Sequence, residues 1–329
     1  MNILIVGLGS AGQRHARVIR HLFPSADVWV YREGHFMGLI SPNLETINPN
    51  LDPVDHYSMH EIYDLRNSKL EFELCVIASP INLHVEQSIP LLNLTRRLLI
   101  EKPLCITKQQ LREWNRAEKE SDCLVLVGYQ HQFNPLLLRI RELLNKINID
   151  MEIRTWFQEP LQSMNPFRNM KEHHLSKENG GGAFLALSHD VEFFISCFPE
   201  LGSKIEGNFL SNRSVSPPLS RVSLNALFSG HSGNKIYFHS DLSFDDAATK
   251  RGGRVTFGTH EINWDLRTKT IEIFVDGKLL ERNLYDYSAD NLIVSQLKYL
   301  MSKEYFDDEM STRLQRAKTI VEIAGRLSV

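Results

Sequence analysis

Two basic side chains stand where proton chemistry can be done. Lys102 lies in "RLLIEKPL", directly after a short aliphatic run and between Glu101 and Pro103. Such a run reads as a strand buried on both faces of a parallel sheet, and open α/β sheets bind ligands at the C-terminal ends of their strands. An ammonium group held there can exchange the proton that accompanies hydride transfer at an alcohol or ketone carbon. The same pattern also suits an ordinary exposed lysine before a turn proline. His189 lies in "GGGAFLALSHDVEFF", where Gly180, Gly181 and Gly182 run into an apolar stretch. Glycine extends a helix poorly, so the triplet predicts a side-chain-free approach that ends where a helix starts. On that helix residues 186, 189, 190 and 193 share a face, and Glu192 sits one turn on, placed to orient the imidazole. A satisfied core histidine is the other reading.

A second chemistry is written at the start of the chain. "IVGLGSAGQRHARVIR" places Gly7, Gly9 and Gly12 after a five-residue aliphatic strand and at the opening of an amphipathic helix. In that context Gly7 permits the tight turn, Gly9 lets the backbone approach a pyrophosphate and Gly12 lets helix and strand pack closely. The free amides of the first helical turn, at Ser10, Ala11 and Gly12, then face the phosphates. The end of the second strand, "VWVYREG", offers Arg32 where NAD enzymes usually place an acid for the ribose 2′-hydroxyl. An arginine suits a 2′-phosphate, so NADP is the expected cofactor. Glu33, one residue on, would restore NAD, and a solvated Arg32–Glu33 pair is the plain alternative.

These groups need a scaffold. At 329 residues the chain is long enough for two domains. Up to about residue 124, "NILIV", "DVWVY", "ELCVIA", "RLLIE" and "CLVLVGY" read as parallel strands with helices between them. The clearest helix is "TKQQLREWNRAEKE", with Thr107 and Gln110 spaced as a capping box. Residues 35 to 70, interrupted by Pro42, Pro49 and Pro53, yield only a weak third strand and a helix. Beyond residue 200 the texture changes to an antiparallel meander with a hairpin turn at Asp276-Gly277, closed by helices beginning near Ser288 and Ser311. The fold class is therefore α/β, a doubly wound Rossmann sheet over residues 1–124 followed by an α+β domain over 125–329.

Composition excludes several partners. Hydrophobic content of 42%, charged content of 23% and a net charge of −3 describe a globular protein without the basic excess that attracts nucleic acid or an anionic membrane. The N-terminal apolar run is too short for a signal peptide or a membrane span, which predicts a cytoplasmic protein. Cys75, Cys105, Cys123 and Cys197 show no paired spacing and read as reduced core thiols, so no metal is expected. His56, His60, His173 and His174 lack a partner set with ligand spacing.

Five segments together resemble the Gfo/Idh/MocA oxidoreductase family: "GLGSAGQRH" at 7–15, "ASPINLH" at 78–84, "EKPL" at 101–104, "VGYQHQFNP" at 127–135 and "GGGAFLALSHDVEF" at 180–193. The resemblance implies NAD(P)-dependent oxidation or reduction of a sugar, nucleotide sugar or cyclitol, and a large open-faced antiparallel sheet in the second domain that forms a homo-oligomer, dimer or tetramer. Lys102 would be the active-site lysine and His189 its companion. Ser79, Pro80, Asn82 and His84 would lie along the cofactor and Glu101 would help to hold it, while Gln130 and Asn134 would approach the substrate. "SHDVEF" is similar to a form found in members associated with bacterial surface-polysaccharide sugars. The segment at 156–178 resembles the one those members place before their glycines, making Arg168 a candidate for an anionic substrate group. Two departures stand out. Ala186 replaces the usual acid ahead of the histidine, and Gln132 replaces a common arginine. They motivate an alternative in which the chain binds a dinucleotide as a sensor without turnover, and a minor third in which a tightly bound cofactor is recycled in place.

Overall fold

A computed structural model describes residues 1–33, 38–65, 70–160, 182–210, 220–244 and 249–327. The chain forms two units, Met1–Gln130 with Ser288–Val321, and His131–Tyr287 with Glu322–Val329. In the first, the aliphatic runs form strands β1 (Asn2–Val6), β2 (Asp27–Tyr31), β3 (Leu39–Ile40), β4 (Thr46–Asn48), β5 (His60–Glu61), β6 (Leu74–Ile77), β7 (Arg97–Ile100) and β8 (Leu124–Val127). Six of them make one sheet in the order β5-β2-β1-β6-β7-β8, every pair parallel, while β3 and β4 form a separate ladder. Continuous hydrophobicity follows from burial on both faces: Ile3, Leu4, Ile5 and Val6 are all fully buried. The weak third strand proves to be the two-residue edge strand β5, paired with β2.

Helices α1 (Ser10–Leu22), α2 (Pro53–His56), α3 (His84–Ser88) and α4 (Lys108–Glu118) connect the strands. Thr107 and Gln110 form the expected capping box at α4, and Leu111 and Trp114 are its buried face. The same Gln110 amide donates to Asn82 O at 3.3 Å, tying α4 to the turn after β6. The two final helices, Ala289–Ser302 and Asp308–Ala324, belong here as far as Val321. Leu297, Leu300 and Met310 share a core cluster with Ile3, Val28, Val76 and Leu99, and Arg17 of α1 makes a bidentate pair with Asp290. A division at 124/125 would sever β8 from a sheet in which Leu124 pairs with Arg97 and Val127 with Ile100.

The second unit contains α5 (Pro135–Leu144), α6 (Gly182–Ala186), α7 (His189–Cys197) and α8 (Leu201–Lys204), with strands β9 (Met151–Gln158), β10 (Glu206–Phe209), β11 (Arg221–Ser229), β12 (Lys235–Ser243), β13 (Lys250–Phe257), β14 (His260–Asp265), β15 (Thr270–Val275) and β16 (Lys278–Leu284). They form one sheet in the order β10-β11-β12-β9-β13-β14-β15-β16. It is not a simple meander: β9 inserts between β12 and β13 and runs parallel to β12, all other pairs being antiparallel. One face is covered by α7, whose Phe194 ring lies 5.5 Å from Phe238 and 5.9 Å from Trp264. Leu227 and Tyr237, cross-strand partners, are exposed. Asp276 and Gly277 both take positive φ, as a two-residue hairpin turn requires.

Candidate functional site

The glycine-rich turn is built as a cradle. Gly7 has φ +88°, and a Cβ there would lie 2.7 Å from Ser79 Cα and N. At Gly12 a Cβ would lie 2.0 Å from Gly7 O, so neither position accepts a side chain without moving backbone. The first bond of α1 runs from Gln13 N–H to Gly9 O, which leaves the amides of Ser10, Ala11 and Gly12 without helical acceptors. Gly9 supplies no side-chain cap and the first turn carries no acid. A bound pyrophosphate fits this end: it would supply the missing acceptors and meet the positive pole of the dipole. Gln13, which sequence reasoning did not single out, anchors the helix from behind. Its amide donates to Gly38 O and accepts from Ile40 N–H, both at 2.8 Å.

Arg32 is placed at this turn, because the preceding residue, Tyr31, accepts a hydrogen bond from Gly7 N–H at 2.8 Å. Its guanidinium, however, is engaged by two carboxylates, donating to both oxygens of Asp52 at 2.9 and 2.7 Å and to Glu61 at 2.7 Å. The alternative, a solvated Arg32–Glu33 pair, is not what forms, since Glu33 accepts from the Tyr31 hydroxyl at 2.5 Å. Nor is Arg32 an open cation awaiting a 2′-phosphate. Neither Asp52 nor Glu61 could be matched to Arg32 by spacing.

Lys102 follows β7 with a cis peptide bond to Pro103. Its neighbour Glu101 is held by a residue overlooked in the sequence: His15 of α1, fully buried, places Nε2 2.7 Å from Glu101 Oε1. The second oxygen of Glu101 accepts from Lys102 N–H at 3.3 Å. Gly128, just past β8, leaves room for this carboxylate, because a Cβ would lie 3.0 Å from Oε2. Burial pushes the Glu101 carboxyl up, but the His15 bond and the charges of His15, Lys102 and Arg14 outweigh it and hold the pKa below the ordinary range.

His84 does not present an open edge to a ligand. It is buried, with Nδ1 2.9 Å from Pro103 O and Nε2 3.0 Å from Ser79 O. Burial lowers its pKa despite both carbonyls. A neutral imidazole has one N–H, so it bridges the Lys102-Pro103 turn to the Ser79 turn by donating to one carbonyl at a time. Pro80 and Asn82 continue that second turn, Pro80 preceding the short 3₁₀ helix Ile81–Leu83. Gln130, partly buried, donates its N–H to Gly128 O at 2.9 Å.

In the second unit the helix after the glycines is broken. Gly182, with φ +75°, starts α6, which ends at Ala186, and α7 starts afresh at His189. The hydroxyl of Ser188 donates to Leu185 O at 3.0 Å, a local bond that competes with helix continuation. A single helix face through 186, 189, 190 and 193 therefore does not exist. His189 is buried against His131, ring centroids 4.8 Å apart and edge to face. Glu192 is fully buried and accepts from Gln132 Nε2 at 2.7 Å, so two residues singled out separately form one pair. Asp190 pairs with Arg251 at 2.9 Å, the guanidinium lying over the Phe157 ring.

Asn134 is fully buried as the N-cap of α5, its side-chain oxygen accepting from Leu136 and Leu137 N–H. Asn followed by Pro135 at the first helical position already carried that signal. Arg168, Gly180 and Gly181 lie outside the described residues.

Residues 1–129 match the sequence model of the Gfo/Idh/MocA oxidoreductase family, NAD-binding Rossmann fold. Among solved structures, biliverdin reductase from Synechocystis sp. PCC 6803, in complex with biliverdin and NADP+, superposes with a TM-score of 0.72 at 16% identity, over 98% of this chain and 96% of that one. UDP-N-acetylglucosamine 3-dehydrogenase from Acidithiobacillus ferrooxidans gives 0.68 at 10% identity, over 99% and 96%. Levoglucosan dehydrogenase, in complex with NADH and L-sorbose, gives 0.69 at 12% identity, over 99% and 97%. At these identities the likeness shows the fold. No curated protein matches the chain in sequence. Over residues 1–129 the chain is thus similar to the NAD-binding Rossmann domain of the Gfo/Idh/MocA oxidoreductase family.

Proposed function

We propose that this protein is an NAD(P)-dependent dehydrogenase or reductase acting on a hydroxyl or keto carbon of a sugar, nucleotide sugar or cyclitol. When bound, the nicotinamide supplies or accepts the hydride. The chain's own residues handle binding and the proton. The amides of Ser10, Ala11 and Gly12 hold the pyrophosphate, Glu101 and the His84 bridge fix the turn that carries Lys102, and the Lys102 ammonium exchanges the hydroxyl proton with the substrate. His189 is the second proton-handling candidate, in the second unit. The observation that carries the reading is the Lys102 turn at the end of a Rossmann strand, fixed by His15–Glu101 on one side and by His84 on the other.

The substrate class is supported by two structural neighbours whose own names concern sugars, a UDP-N-acetylglucosamine dehydrogenase and a levoglucosan dehydrogenase. Exposed Leu227 and Tyr237 on the second unit's sheet, with Leu279, Leu280 and Leu284 on its edge strand β16, support a homo-oligomer formed through that sheet. Light scattering on the full chain tests the assembly. Turnover against a panel of nucleotide sugars and free sugars, for the natural protein and Lys102→Met, tests the activity: the variant should lose about 10² to 10⁴ in rate.

A second reading is a dinucleotide-binding sensor. Ala186, a buried methyl group where the family resemblance leads one to expect a carboxylate, favours it. Tight dinucleotide binding with no hydride exchange across the same panel would select that reading.

A further inference from the structure

Arg32 stands at the tip of β2, beside the glycine turn, where a Rossmann domain reads the 2′ position of the adenine ribose. A free guanidinium there would attract a 2′-phosphate. This one is not free. It forms a bidentate pair with Asp52 and a further bond with Glu61, all three side chains being partly buried. One positive and two negative charges leave the group with a net charge of −1. The carboxylates come from different elements and are separately fixed. Asp52 is the N-cap of α2 and also accepts from Val54 N–H at 2.9 Å, whereas Glu61 lies on β5, paired with β2. Glu33 adds another carboxylate beside Arg32 in the chain.

We infer that Asp52 and Glu61 set the choice between NAD and NADP by keeping Arg32 engaged, so that NAD is the preferred cofactor. The inference rests on the dinucleotide-binding reading above and sharpens it. To use Arg32, a 2′-phosphate would have to compete with two carboxylates already in contact with it, while being repelled by both. A ribose 2′-hydroxyl carries no charge, and carboxylates are its usual partners at this position. The direction of the Asp52 titration agrees. Burial raises its pKa, but the bonds from Arg32 and Val54 N–H prevail and lower it, as expected for a carboxylate that is charged and bound in the native state.

The test is equilibrium binding of NADH and NADPH to the full chain, followed by nicotinamide fluorescence, for the natural protein, Asp52→Asn, Glu61→Gln, the double variant and the double variant with Arg32→Ala. Asparagine retains an N-cap acceptor, so α2 should survive the first change. The natural protein should bind NADH about tenfold or more tighter than NADPH. The double variant should narrow that ratio by about tenfold through stronger NADPH binding, and Arg32→Ala should cancel the gain. Natural preference for NADPH, an unchanged ratio in the double variant, or a gain that survives loss of Arg32 would overturn the inference while leaving dinucleotide binding intact. Failure to bind either dinucleotide would overturn both the binding reading and this inference.

Discussion

The fully buried imidazole of His15 reaches across the first unit to place Nε2 2.7 Å from Glu101 Oε1, joining the helix that follows the glycine turn to the strand end that carries Lys102. Removing the imidazole leaves a part-buried carboxylate without its closest partner. His15→Ala should therefore destabilise the protein by about 1.5–3 kcal/mol, read by chemical denaturation. If Glu101 fixes the Lys102 turn as proposed, kcat should fall more than dinucleotide affinity. An unchanged kcat would show that the bond is structural only.

The same pair predicts a pH dependence. A carboxyl whose folded pKa lies below its unfolded value of 4.5 contributes stability that is fully present above the ordinary carboxylate range and is lost as pH falls through the lowered folded value. Glu101→Gln should thus be clearly less stable than the natural protein at neutral pH, with the gap closing in acid. A gap that widens as pH falls would contradict the assignment.

Gly12→Ala tests the cradle. A methyl group 2.0 Å from Gly7 O forces the turn and α1 apart. Calorimetry should show a lower melting temperature and titration a weakened dinucleotide affinity. Retention of both would mean that close packing at this turn is dispensable.

All four cysteines are buried and free, and burial raises each thiol, Cys105 and Cys123 to about 12 and Cys197 to about 11. Thiolate is the reactive form, so the native protein should react slowly with a thiol reagent and quickly once denatured. Rapid labelling of the native protein would place a thiol in a different environment.

What could be read from the residues followed their range. Aliphatic runs such as "NILIV" and "RLLI" announce buried parallel strands because burial is a property of each residue, and the Thr107/Gln110 and Asp276-Gly277 signals are local. The insertion of β9 beside β12 was not legible, since register is decided by pairing across some 80 positions. The helix that periodicity alone would continue is interrupted at 187–188, where the Ser188 hydroxyl donates to Leu185 O. At the site, Lys102 and the glycines were visible as motifs, whereas His15–Glu101 and Arg32–Asp52–Glu61 join residues with no common spacing.

Lys102 is assigned the exchange of the proton that accompanies hydride transfer. It is tested by the change in reduced-nicotinamide absorbance with nucleotide sugars, free sugars and cyclitols, comparing the natural protein with Lys102→Met at matched dinucleotide occupancy. The natural protein should turn over at least one of these substrates, and the variant should lose about 10² to 10⁴ in rate. Equal turnover by the two proteins, or hydride exchange with none of these substrates despite bound dinucleotide, would contradict that assignment.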